Sequence, residues 1–309
     1  MRLVFMGTPE SAVPTLRRCL EDGHEVVAVW TQPDRPAGRG NRLHEPPVKQ
    51  FARGRGLTVH QPLKIKTAEA HELFASHEAD VAVVVAYGRI LPASFLRAPR
   101  RGCLNVHFSL LPKYRGAAPV NWAIVRGESE TGVTTMMIDE GLDTGAILLQ
   151  RATEIRDAET APELLARLSE TGAGLLVETL SRLDQIEPRP QREDEATHAP
   201  ILKREDGLID WKLSAAEIER RVRGLQPFPN TFTTFRGQRL VVWRAQQPAV
   251  VASPGSPGEI VEAHGDGLSV ACGGGSVLRL LEVQAEGKRR MGARDFMNGL
   301  RARVGEVLG

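Results

Sequence analysis

The chain has 309 residues, 41% hydrophobic and 25% charged, which is the balance of an ordinary globular protein and excludes a disordered class. Its formal net charge of +2 names no partner, although residues 206–309 hold 14 Lys and Arg against 11 Asp and Glu. Cys19, Cys103 and Cys272 are odd in number and lack a C-x-x-C pair, which argues against a disulfide framework or a structural zinc site and predicts a reducing, cytoplasmic setting. The apolar start Met1–Met6 is too short for a signal peptide, and no run of about 18 apolar residues offers a membrane span.

Arg2–Met6 reads as a buried strand, Gly7–Glu10 as a tight turn, Ser11–Leu20 as a helix capped by Ser11, and His24–Trp30 as the next strand. This order opens a doubly wound parallel sheet. The turn lacks G-x-G-x-x-G, so it carries no dinucleotide fingerprint. Residues 31–47, rich in Pro, Gly and Arg, read as a long loop. Arg35, Arg39 and Arg42, with Lys49, Arg53 and Arg55 beyond, outnumber Asp34 and Glu45. Such a loop suits a phosphate backbone, and a solvated basic loop fits equally well.

A short helix over 47–54, a strand over 57–60 and a helix over 67–76 lead to Asp80–Ala86, the most apolar strand and so a central one. At its end, the turn Tyr87-Gly88-Arg89-Ile90-Leu91 offers main-chain groups to a flat polar heterocycle or makes an ordinary strand-end turn. Cys103–Pro112 comes next. Alternate residues of a strand share a face, so Asn105 and His107 project together from the end of a buried strand, where open α/β sheets bind ligands. A helix over 120–126, strands over 131–138 and 146–155, and the glycine-bracketed loop Asp139–Gly145 follow. A leucine-spaced helix from 164 to 183 is expected to be interrupted or bent near Gly172 and Gly174. The first fold is therefore expected to be Rossmann-like.

Residues 186–205 lapse into Pro, Arg, Gln and Glu and read as a linker. Beyond it, a helix over 215–224 and five short strands with glycine turns predict a small β-barrel, OB-like in scale. The boundaries expected are 1–187 for the first domain, 188–205 for the linker and 206–309 for the second domain. Arg220, Arg221, Arg223 and the run Lys288-Arg289-Arg290 suit a nucleic-acid backbone or a solvated surface.

Asn105, His107 and Asp143 are the candidate catalytic groups. The sequence has no nucleophile elbow, metal-ligand cluster or Walker loop, so direct transfer through a tetrahedral intermediate remains. In that chemistry Asn105 and His107 stabilise an oxyanion, and Asp143 tunes His107 and accepts protons. Taken singly, each is also a common structural polar residue or turn residue.

Asn105-Val-His107, Ser109-Leu-Leu-Pro112, Gly116-Ala-Ala-Pro119 and Gly141-Leu-Asp143-Thr-Gly145 together resemble the active-site pattern of the 10-formyltetrahydrofolate-dependent formyltransferases. Residues 31–40 and the last hundred residues resemble the members that act on methionyl initiator tRNA. The resemblance implies formyl transfer from 10-formyltetrahydrofolate to the α-amine of that tRNA, without a metal, by a cytoplasmic monomer.

It also matches Asn105, His107 and Asp143 to the catalytic trio and Ser109, Leu110, Leu111 and Pro112 to the folate segment, beside Tyr87, Gly88, Ile90 and Leu91. Arg39 and Arg42 match the loop that enters the acceptor stem. Arg35, Lys49, Arg220, Arg223, Lys288 and Arg289 are the further tRNA candidates. Phe108 stands where relatives often have a small residue, which is expected to narrow the folate pocket slightly. A formyltransferase acting on a sugar nucleotide is the alternative, and its loop at 31–45 would be uncharged. A tRNA-binding module without catalysis would lack the polar trio, and a nicotinamide dehydrogenase would need the glycine fingerprint.

Overall fold

The computed structural model describes residues 1–37, 42–247 and 255–309, and the chain falls into two compact units. The first comprises Met1–Pro119, Glu130–Glu154 and Leu165–Ala199; the second comprises Val120–Ser129, Ile155–Leu164 and Pro200–Gly309.

In chain order the first unit begins β1 (Arg2–Gly7), α1 (Val13–Glu21) and β2 (Glu25–Trp30). A hairpin of β3 (Arg35–Ala37) and β4 (Arg42–His44) follows, then α2 (Pro47–Gly54), β5 (Val59–His60), α3 (Ala68–Ala75), β6 (Val81–Val85), α4 (Ala93–Arg97), β7 (Cys103–His107) and β8 (Arg115–Gly116). α5 (Pro119–Arg126) lies almost wholly in the second unit. β9 (Glu130–Met137), β10 (Ile147–Glu154), α6 (Ala161–Ser181), whose first four residues belong to the second unit, and β11 (His198–Ala199) complete the series.

The main sheet runs β10-β9-β7-β6-β1-β2-β5. Its five strands from β7 to β5 are parallel, while β9 runs antiparallel to β7 and β10 antiparallel to β9. β6, Val-Ala-Val-Val-Val, is buried at every position, as its unbroken apolar run predicts for a central parallel strand. On one face Trp30, Phe74 and Phe95 close the core, with Phe74 and Phe95 stacked at 4.1 Å.

Several local expectations change. Ser11 caps nothing: Glu10–Ala12 is a single 3-10 turn, and α1 starts behind it with Pro14 in its first turn. The loop over 31–47 contains the β3–β4 hairpin, pairing Arg35 with His44. Gly172 and Gly174 do not break α6, which is continuous over 21 residues. A Cβ on Gly172 would stand 2.8 Å from Val106 and 3.3 Å from Val133, so the missing side chain lets the helix close on β7 and β9.

The stretch read as a linker is hydrogen bonded into the first unit as far as residue 199. Arg189 and Ile147 exchange both backbone hydrogen bonds, and β11 pairs in parallel with β8. Its polar side chains answer main-chain groups of the sheet's loops, and composition cannot distinguish that from solvation.

The second unit contains α7 (Ala215–Gly224), β12 (Thr231–Phe235), β13 (Gln238–Gln246), β14 (Ile260–His264), β15 (Gly267–Ala271), β16 (Val277–Ala285), β17 (Met291–Gly292) and α8 (Ala293–Leu300). The antiparallel sheet runs β12-β13-β16-β15-β14, with β17 on β16. α8, unforeseen beyond the last expected strand, inserts Phe296 and Met297 into the core with Trp211, Ile218 and Val222.

Burial pushes the thiols of Cys19, Cys103 and Cys272 up to about 12 each. Native protein is therefore expected to resist an aromatic disulfide reagent at pH 8 and to expose all three thiols on unfolding. Rapid labelling before unfolding would contradict this packing.

Candidate functional site

β7 lies between β6 and β9 and ends at His107, paired with Thr134. Val106 and Phe108 lie beside Gly172 of α6, so alternation turns Asn105 and His107 to the opposite face. The Phe108 ring lies on that helix side, beside Gly172.

The half-buried carboxamide of Asn105 has no hydrogen-bond partner among the described residues, leaving its donors available to a ligand. His107 is 5% exposed, and its Nε2 lies 3.0 Å from the Tyr114 carbonyl. A carbonyl only accepts, so Nε2 carries the hydrogen and Nδ1 is left facing Asp143. Asp143 Oδ2 is 3.8 Å from Nδ1, beyond a hydrogen bond but within reach of a small adjustment.

Asp143 sits in the left-handed region at φ +55°, which a short polar side chain tolerates better than most. The Gly116 amide donates to its Oδ2 at 2.9 Å. Gln191 Nε2 donates to the carbonyls of Asp143 and Gly145, both at 2.8 Å. The Arg115 side chain, 3% exposed, donates through Nε to Gln191 and through both terminal nitrogens to Glu193. That guanidinium holds the Glu193 carboxyl below the usual carboxylate range. Two glycines, Gly116 half-buried and Gly145 buried, shape the walls. A Cβ on Gly116 would stand 2.5 Å from the Ala199 carbonyl, and one on Gly145 would collide with the Met137 carbonyl.

Ser109–Pro112 is tied down by internal hydrogen bonds. Ser109 Oγ donates to the Lys113 carbonyl at 2.6 Å, the Leu111 amide donates to Thr134 Oγ1 at 3.1 Å, and Gln150 donates to the Leu111 carbonyl at 2.8 Å. Gly88 has φ +81° with open space at its Cβ position, and Ile90 is 63% exposed while Leu91 is buried. Tyr87 is buried, and its carbonyl accepts from Thr8 and Gln32. Gly88 and Ile90 thus have a free side at this turn, whereas the Tyr87 carbonyl is occupied.

The basic candidates fare unequally. Arg35, Lys288 and Arg289 are exposed. Arg39 and the side chain of Arg42 lie outside the described residues. Lys49 is 14% exposed and paired with Asp34 at 2.7 Å and Glu45 at 3.1 Å. Arg223 pairs with Glu219 at 2.6 Å and donates to the Glu159 carbonyl, while Arg220 Nε is buried without a partner. Lys49 and Arg223 are thus engaged in internal contacts. Among the described residues no group of three His, Cys, Asp or Glu side chains is placed to hold a metal ion.

Residues 1–180 match the family model described as Formyl transferase, and residues 201–301 match the one described as Formyl transferase, C-terminal domain. The chain belongs to the formyltransferase family. A relative from Citrifermentans bemidjiense named methionyl-tRNA formyltransferase is 50% identical over all of this chain and 96% of its own length. The family fold extends to distant structures. An N-formyltransferase from Helicobacter canadensis, in complex with folinic acid and dTDP-3-aminofucose, aligns at TM-score 0.68 and 19% identity over 92% of this chain and 99% of that one. Methionyl-tRNA formyltransferase from Clostridium thermocellum aligns at 0.59 and 20% identity over 80% and 94%.

Asn105, His107 and Asp143 were singled out from the sequence, whereas Arg115, Thr134, Gln150 and Gln191, which hydrogen bond around them and around Ser109–Pro112, were not. The only visible signal was Arg115 beside Gly116 in the Gly-Ala-Ala-Pro motif.

Proposed function

We infer that this chain transfers the formyl group of 10-formyltetrahydrofolate to the α-amine of methionyl initiator tRNA. The observation that carries the reading is the convergence of Asn105, His107 and Asp143 at the end of β7, in a chain about half identical over its full length to methionyl-tRNA formyltransferases. A sugar-nucleotide acceptor draws only on likenesses below 25% identity, which speak for the fold alone.

The attacking amine forms a bond to the formyl carbon, and negative charge gathers on the formyl oxygen. Asn105 donates to that oxygen from its unpartnered carboxamide, and His107, anchored through Nε2–H on the Tyr114 carbonyl, presents its Nδ1 edge to the reacting groups. Asp143 takes the proton shed by the amine; the carbon–nitrogen bond to the folate breaks, and the proton passes to the departing nitrogen. The Ser109–Pro112 segment forms one wall of the folate site, and the turn at Tyr87, Gly88, Ile90 and Leu91 after the neighbouring strand forms another. Residues 1–187 carry the transfer, with 188–199 bonded onto that unit, and 206–309 grip the tRNA. The chain works as a cytoplasmic monomer; no helix among the described residues is long and apolar enough to cross a membrane.

Arg35, Arg39, Arg42, Lys288 and Arg289 contact phosphates in this reading, with smaller parts for Lys49, Arg220 and Arg223. Arg42→Ala is expected to raise KM for the tRNA about tenfold and to lower the log-log salt slope of binding by about 1, with KM for the folate unchanged. A folate defect with normal tRNA handling would count against the loop. The function itself is tested with donor labelled in the formyl carbon: label should appear on methionine released from the tRNA, and its absence would refute the reading.

A further inference from the structure

The segment before Pro200 engages both sides of the catalytic pair. Thr197 Oγ1 accepts the Tyr114 amide at 2.9 Å, and the Tyr114 carbonyl in turn orients His107. Six residues earlier, Gln191 bridges the Asp143 and Gly145 carbonyls with one amide nitrogen. Gln191 cannot turn away freely, because its Oε1 receives Arg115 Nε at 2.9 Å and that guanidinium is fixed on Glu193. Its amide is therefore oriented with nitrogen toward the Asp143 loop.

Two carbonyls, from residues 143 and 145, converge on one donor across a left-handed aspartate. Without that donor the two carbonyl dipoles repel, and the φ of +55° at a non-glycine residue loses its brace.

We propose that Gln191 is a positioning residue that holds Asp143 in its reactive placement, with Arg115 orienting the Gln191 amide. The inference rests on the formyl-transfer reading above and adds to it a residue that never touches substrate. Its action is geometric: the two hydrogen bonds fix the Asp143 backbone, and the Gly116 amide then fixes the carboxylate beside His107 Nδ1.

Gln191→Met keeps the side chain's length and removes both donors. It is expected to lower kcat between about 10- and 100-fold, the scale of a catalytic group displaced by about 1 Å, while KM for folate and tRNA stays within about threefold. Combined with Asp143→Asn it should cost no more than Asp143→Asn alone, because a residue acting only through Asp143 has nothing left to position. Gln191→Glu retains the contact to Arg115 and sets an oxygen against both carbonyls, so its kcat should fall at least as far.

Wild-type kcat in folded Q191M, or an additional loss in the Q191M/D143N double variant equal to the loss in Q191M alone, would overturn the proposal. So would failure of both Q191M and Q191E to fold, which would make Gln191 a residue of the fold alone. Wild-type protein run in parallel separates the two readings. If it fails to formylate charged tRNA, the function itself is refuted; if it formylates normally and Q191M does too, only the role of Gln191 is.

Discussion

Asp143→Asn is expected to lower kcat for formyl transfer by about 10²- to 10⁴-fold, the range over which a positioned general base contributes, with little change in thermal unfolding. The carboxamide still accepts the Gly116 amide, so the loop keeps its shape, but it no longer takes a proton from the amine. His107→Ala should fall in the same range for a different reason. It removes the imidazole that presents Nδ1 to Asp143 and takes away the Nε2 contact with the Tyr114 carbonyl. Steady-state kinetics with both substrates saturating checks these losses, and unchanged turnover in either variant would refute the proposed roles.

Gly145→Ala is the second large effect. The added methyl meets the Met137 carbonyl, a backbone group that cannot rotate aside as a side chain can. Relief requires moving the 139–145 loop away from the end of β9, and the Asp143 carboxylate moves with it. Overpacking of this kind costs about 1–3 kcal/mol in stability, and the displaced base costs a further factor of about 10² in kcat. Differential scanning calorimetry with kinetics on the folded fraction measures both. An alanine variant with native stability and turnover would show that the loop has slack that the close approach denies.

The strands of the main sheet were legible because burial on both faces leaves an uninterrupted apolar run, and the placement of Asn105 and His107 followed from strand alternation alone. Asp143 was visible between Gly141 and Gly145, although its distance from His107 was not. What the sequence hid was long-range polar pairing. Gln191 reaches a carbonyl 48 positions away, and Arg115 reaches Glu193 78 positions away. No periodicity records such contacts, so a stretch rich in Pro, Arg, Gln and Glu reads as linker whether it is solvated or bonded to a sheet. The glycines of α6 misled for a related reason. Gly172 weakens a helix locally, and what it gains, close approach to Val106 and Val133, belongs to tertiary packing.

The most direct test of the central claim is acceptor competition. Purified chain, 10-formyltetrahydrofolate, methionyl initiator tRNA and a dTDP-amino sugar are mixed, and both formylated products are followed with tetrahydrofolate release. Formyl-methionyl-tRNA appearing in step with tetrahydrofolate, with kcat/KM at least about 10³-fold above that for the sugar, is the predicted result. Preferential formylation of the sugar, or tetrahydrofolate release with no formylated tRNA, would contradict it.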